Sequence, residues 1–167
     1  MATKEIYLIR HGESYGNLEL KADACTESDD SKLTDTGIRQ AEALAIKLNE
    51  VHFDQIWSSD LARARDTAEI IVRGRNIKAI VKPELREIYR VIVGGPFKGA
   101  RPKRKNEDIQ RAEKVWTDIN SFAGSRLCII CHGNIIRYFL AKHYKKDPKT
   151  MWELKIENCS ITIIIAS

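Results

Sequence analysis

The stretch Lys4-Glu5-Ile6-Tyr7-Leu8-Ile9-Arg10-His11-Gly12-Glu13-Ser14 changes character at Arg10. Its first part is apolar and β-prone and reads as a buried strand. Its second part is small, polar and charged and reads as a loop. The same break recurs along the chain. Phe53 to Ser58 reads as a strand that runs into Ser59-Asp60, and Ile77 to Lys82 as one stopped by Pro83. Leu127 to Cys131 reads as a strand that ends at His132-Gly133-Asn134, and Ser160 to Ala166 as a last strand. Helical stretches lie between them. In Thr34 to Val51, with Thr34 or Asp35 as cap, Ile38, Ala41, Leu44, Ala45 and Leu48 recur at helical spacing. Asp60 to Arg73 carries Leu61, Ala64, Ala68 and Ile71 on one stripe, and Asn134 to Tyr144 is helical too. Glu107 to Phe122 reads as a helix capped by Asn106, after a loop from Gly94 to Lys105. Strands alternating with helices predict an α/β fold, a three-layer sandwich with a central, mostly parallel sheet flanked by helices.

A chain of 167 residues fits one domain, 1–167, and can bury a sizeable core without disulfides. With 43% hydrophobic and 31% charged residues it is neither a disordered chain nor a membrane one. No apolar run approaches the roughly 20 residues that span a bilayer. Met1-Ala2-Thr3-Lys4-Glu5 has no secretory character, so a cytoplasmic location is expected. Of four cysteines, Cys128 and Cys131 form a C-x-x-C inside a strand, where residues three apart face opposite sides; they read as small buried hydrophobes.

The net charge of +5 is local. From Ile88 to Asn106 there are six basic residues (Arg90, Lys98, Arg101, Lys103, Arg104 and Lys105) and no acidic one. This basic loop, 88–106, is expected to cover the site and attract an anionic substrate. It lacks the aromatic pattern of an RNA binder, and no helix-turn-helix pattern stands out, so nucleic acid is not the expected partner.

Ligands of open α/β sheets bind beyond the carboxyl ends of the strands. That edge gathers Arg10, His11, Arg63, Glu87 and His132, while His52 and His143 lie elsewhere and read as structural. Two histidines and two arginines make a cationic pocket, and arginine forks match phosphate oxygens. A metal site is not expected, because no third histidine or carboxylate cluster accompanies the pair and arginines repel a cation.

The blocks at this edge resemble those of the histidine phosphatase superfamily, the phosphoglycerate mutase-like family. They are Ile9-Arg10-His11-Gly12-Glu13-Ser14 with Asn17, Leu33-Thr34-Asp35-Thr36-Gly37 with Gln40-Ala41, Ser58-Ser59-Asp60-Leu61-Ala62-Arg63-Ala64 with Thr67-Ala68, Leu85-Arg86-Glu87 and Cys131-His132-Gly133-Asn134-Ile135-Ile136-Arg137. Asn158-Cys159-Ser160-Ile161 resembles the segment leading to the family's last strand. The resemblance implies a phosphomonoester hydrolase that works without metal or organic cofactor. It makes His11 the nucleophile and Glu87 the general acid and base, with Glu84 or Glu13 as alternative acids. Arg10, Arg63 and His132 would hold the phosphoryl oxygens, helped by Asn17, Ser14 and Gly133. The substrate would be a phosphorylated small molecule or a phosphoprotein, with a phosphoglycerate-type phosphomutase or a narrow phosphohistidine phosphatase as alternatives. The short chain favours hydrolysis over mutase chemistry. No membrane partner is expected, and the oligomeric state is left open.

Overall fold

The computed structural model describes residues 3–18, 30–96 and 102–166. Strand β1 (Lys4–Arg10) covers the stretch read from the sequence. After it come a single turn, α1 (Tyr15–Leu18), then α2 (Asp35–Lys47), β2 (Gln55–Ser58), α3 (Ala62–Val72) and β3 (Ala79–Val81). Two short 3₁₀ turns, Pro83–Leu85 and Arg90–Val93, lead to α4 (Pro102–Ser121). The chain closes with β4 (Arg126–Cys131), α5 (Gly133–His143), a 3₁₀ turn at Pro148–Met151, and β5 (Ile161–Ala166).

The sheet order is β3-β2-β4-β1-β5. The first four strands are parallel, and β5 runs antiparallel along β1, with Tyr7 opposite Ile163. Because successive strand residues face opposite sides, β1 and β4 feed two cores at once. Ile6, Leu8, Leu127, Ile129 and Cys131 pack under α4 and α5 with Ala112, Val115, Ile119, Ile135 and Phe139. Tyr7, Ile9, Cys128 and Ile130 pack under α2 and α3 with Leu44, Ala64, Ala68 and Ile71. Each fully buried Ile, Leu or Phe contributes about 1.5–3 kcal/mol relative to exposure. Cys128 and Cys131 thus sit on opposite faces, both as free thiols.

Two expectations are corrected. The helix expected from Glu107 starts at Pro102, so Asn106 lies within it rather than capping it. Proline fits a first helical turn, where its missing N–H has no partner to lose, and that signal outweighs the asparagine. The segment 88–106 is therefore not one loop: it holds the 3₁₀ turn Arg90–Val93 and the start of α4. Lys98 and Arg101 of the basic run lie outside the described residues.

Thr34 caps α2 as expected, accepting the Gly37 N–H at 3.0 Å. Gly37 has a second purpose. A Cβ there would come within 2.0 Å of the Glu13 carbonyl oxygen, and one on Gly12 within 2.6 Å of the Gly37 oxygen. Two glycines back to back let α2 press directly on the backbone that follows His11.

Candidate active site

β1 delivers Arg10 and His11 to the carboxyl edge of the sheet, where the His11 N–H donates to the Cys131 carbonyl at 3.0 Å. The next amide, Gly12 N–H, donates to Thr67 Oγ1 of α3 at 3.0 Å. The His11 carbonyl accepts from Asn158 Nδ2 at 2.9 Å and from the Cys159 N–H at 3.3 Å. The same Cys159 N–H reaches the Arg10 carbonyl at 2.9 Å, and Cys159 has a left-handed backbone (φ 54°), an uncommon conformation for a residue with a side chain.

The His11 ring is held at both nitrogens. Nδ1 lies 2.7 Å from the Gly12 carbonyl oxygen, which can only accept, so Nδ1 carries the proton and donates. Nε2 is then the lone-pair nitrogen, and it accepts from Arg63 Nε at 3.2 Å. Burial first, then the charges of Arg63 and Arg10, keep the His11 pKa well below the ordinary imidazole value. Arg63 itself is buried on the first turn of α3.

The ring of His132 stands 5.1 Å from that of His11, centroid to centroid. His132 occupies the N-cap of α5. Its Nε2 is 2.9 Å from Ser59 Oγ at the end of β2, and its buried Nδ1 has no partner. Its pKa is also well below normal, from burial and then from His11 and the arginines. Arg10 anchors Nη1 on the Ile156 carbonyl at 2.7 Å, and its buried Nε is likewise unpartnered. Burial lowers the pKa of Arg10, while Glu87 opposes the shift.

Glu87 follows the first 3₁₀ turn and lays its carboxylate across the start of α5. Oε1 accepts from the N–H groups of Ile88, Asn134 and Ile135 at 3.0–3.1 Å, and Oε2 from Asn134 at 3.1 Å. Burial pushes its pKa up, and these amides and Arg10 pull partly back. The alternative acids are engaged elsewhere: Glu84 binds Lys114 at 2.7 Å, and Glu13 accepts from Thr34 Oγ1 at 2.7 Å. Asn17 Oδ1 accepts from the Ser14 N–H and hydroxyl and from Asn158 Nδ2, at 3.1–3.2 Å. The Ser14 amide and hydroxyl therefore hold the Asn17 side chain. Gly133 begins α5, and a Cβ on it would lie 3.3 Å from Arg137 Nη1 and 3.8 Å from Arg10 Nε.

The sequence reading passed over Ser59, Thr67 and Asn158 as site residues. Ser59 was accessible to the strand-end rule, since it directly follows β2. Asn158 lies in a segment that the resemblance covers, but it bonds the His11 carbonyl and Asn17, far away in sequence, so its spacing alone assigns it no role in the site. Among the described residues no group of three or more His, Cys, Asp or Glu side chains is placed to hold a metal ion, and no helix is long and apolar enough to cross a membrane.

A mostly parallel α/β sandwich here joins, at one sheet edge, two neutral histidines, two arginines and one carboxyl group, a set of donors chemically matched to a tetrahedral anion beside an unprotonated ring nitrogen. The chain belongs to the histidine phosphatase superfamily (branch 1), whose family model matches residues 6–107 and 101–167. It is 28% identical over 183 aligned positions to a Cronobacter sakazakii protein named "Probable phosphoglycerate mutase GpmB", covering 95% of this chain and 83% of that one. The fold matches the alpha-ribazole phosphatase of Shigella flexneri with a TM-score of 0.80 at 22% identity, covering 95% of this chain and 89% of that one. It also matches a mutant phosphoserine phosphatase of Entamoeba histolytica in complex with phosphoserine, with a TM-score of 0.75 at 24% identity over 96% of this chain and 89% of that one.

Proposed function

We propose that this chain hydrolyses phosphate monoesters through a phosphohistidine on His11. The observation that carries the reading is the ring clamp: the Gly12 carbonyl fixes the proton on Nδ1 and leaves Nε2 as a lone pair at an arginine-lined pocket. A phosphoryl group seated there would take hydrogen bonds from Arg63 and would give partners to the two orphaned buried groups, Arg10 Nε and His132 Nδ1. In this reading the Gly133 amide and Asn17 Nδ2 are further donors. In the first step the Nε2 lone pair forms an N–P bond, the ester P–O bond breaks, and protonated Glu87 gives its proton to the leaving oxygen. In the second, Glu87 takes a proton from water as the water oxygen attacks phosphorus, and the N–P bond breaks. The raised pKa of Glu87 suits a group that must start protonated. The arginines supply the positive charge that stabilises the transferring phosphoryl group.

The test is turnover of p-nitrophenyl phosphate, phosphoserine, a phosphoserine peptide and 3-phosphoglycerate with EDTA present, wild type beside His11→Ala. EDTA-resistant phosphate release that falls at least a thousandfold in the variant is expected, with an acid-labile phosphoenzyme trapped only in the wild type. Equal activity in both proteins refutes the reading. Phosphate transfer within phosphoglycerate faster than release to water would assign a phosphomutase instead, the activity in the name of the relative 28% identical to this chain.

A further inference from the structure

The acid of this site sits on backbone that belongs to no strand or α-helix. From Glu84 to Tyr89 the chain leaves a 3₁₀ turn and runs irregularly to the next. Such a segment has few internal hydrogen bonds to fix it, yet proton transfer needs the carboxyl group placed to within a fraction of an ångström.

One residue on α4 provides the missing bonds. Arg111 donates from Nη1 to the carbonyls of Glu84 at 2.8 Å and Arg86 at 2.6 Å, and from Nη2 to the Glu87 carbonyl at 3.1 Å. Its Nη2 also meets Asp108 Oδ1 at 2.6 Å. The other oxygen of Asp108 accepts the Tyr89 N–H at 2.8 Å. The pair thus grips carbonyls before and at Glu87 and an amide after it. On the other side Asn134 Nδ2 reaches the Ile88 carbonyl at 3.3 Å, and Arg137 Nη1 holds the Asn134 side chain at 3.0 Å.

Asp108 is only 5% exposed. Burying a carboxylate is costly unless each oxygen is satisfied, and an apolar residue would pack there with less penalty. Directional bonds to a flexible backbone are what the charged pair adds and an apolar pair could not.

We infer that Arg111 and Asp108 are positioning residues for the general acid, fixing the Glu84–Tyr89 backbone so that the Glu87 carboxyl group faces the leaving oxygen. The inference rests on Glu87 being the acid of the proposed reaction. The bonds of the pair run to the Glu84–Tyr89 backbone, and Arg111 acts on His132 through its charge, so removing the pair should disturb phosphate binding and histidine attack less than protonation of the leaving group. An aryloxide leaves with little help from an acid, whereas an alkoxide requires the proton.

The experiment compares kcat and KM on p-nitrophenyl phosphate and phosphoserine for wild type, Arg111→Met, Arg111→Lys, Asp108→Asn and Glu87→Gln, each checked for folding by circular dichroism. Arg111→Met and Asp108→Asn should lower kcat on phosphoserine about tenfold or more and on p-nitrophenyl phosphate by less than threefold, with KM little changed. Arg111→Lys, which keeps the charge but loses the fork, should fall between and stands in if Arg111→Met does not fold. Adding Arg111→Met to Glu87→Gln should cost nothing further. If Glu87→Gln discriminates between the two esters and the α4 variants do not, the positioning role is wrong and the acid assignment stands. If Glu87→Gln itself lowers both esters alike, the acid assignment fails, and the positioning role with it.

Discussion

Acidification should destabilise this protein through its two site histidines. His11 and His132 are 3% and 1% exposed, and both are held neutral well below the ordinary imidazole pKa. A histidine with a depressed folded pKa is free to protonate only in the unfolded chain. The unfolded state therefore binds more protons between the folded pKa and about 6.5, and stability falls as pH drops through that window. If both rings stay neutral in the fold, lowering the pH from 7.5 to 5.5 removes roughly 1–2 kcal/mol per histidine, or on the order of 3 kcal/mol for the pair. That is a large share of the 5–15 kcal/mol by which domains are stable, and it corresponds to roughly 5–10 °C in Tm for a chain of this size. Glu87 has the opposite sign. Its raised pKa means the folded state binds the extra proton above about 4.5, so it loses stability as pH rises and partly offsets the histidines where the windows overlap. The assay is urea unfolding at half-unit steps from pH 7.5 to 5.5, on the wild type and on a His11→Asn, His132→Asn double variant. The variant should lose most of the pH slope, and inorganic phosphate at 10 mM should raise the wild-type midpoint. A double variant with the slope of the wild type would refute the argument, because the titration would then belong to other groups.

Arg63→Met removes the guanidinium that bonds His11 Nε2 directly. It should lower kcat by on the order of 10²–10³, as the loss of one donor to a developing anion does, and stopped-time assays on p-nitrophenyl phosphate would measure it. Gly37→Ala sets a methyl group against the Glu13 carbonyl at less than van der Waals distance. It should destabilise the fold by about 1–3 kcal/mol in thermal melts, and it should also reduce turnover, because the displaced backbone is the one that holds the His11 ring; Gly74→Ala, strained by a φ of 77° but with nothing within 4 Å, should lower stability and leave turnover unchanged.

Much of this was legible in the chain itself, for a definite reason. A strand buried on both faces writes a continuous apolar run, and its end shows as a switch to polar residues, as at Arg10 and His132. Since ligands gather at such ends, locating the strands located both histidines, both arginines and Glu87. What the sequence hid are the groups that act on backbone. Arg111 and Asp108 look like any i,i+3 surface ion pair on a helix; only the packing of α4 against the Glu84–Tyr89 segment turns them inward. Asn158 and Cys159 likewise matter for where their amides point. The start of α4 was misplaced because a capping signal at Asn106 competed with proline at 102, and local propensities cannot rank the two without the tertiary contacts of the helix.

The strand order also governs when the molecule becomes whole. β1 lies between β4 and β5, so the earliest strand made is flanked by the two made last. On the ribosome it must wait, apolar on both sides, while more than a hundred residues are added before a neighbour exists. The two histidines, brought together only when β4 settles beside β1, share that delay. Synthesis cut short before β4 yields a chain with one of its two paired histidines and an uncovered strand, a natural substrate for chaperones.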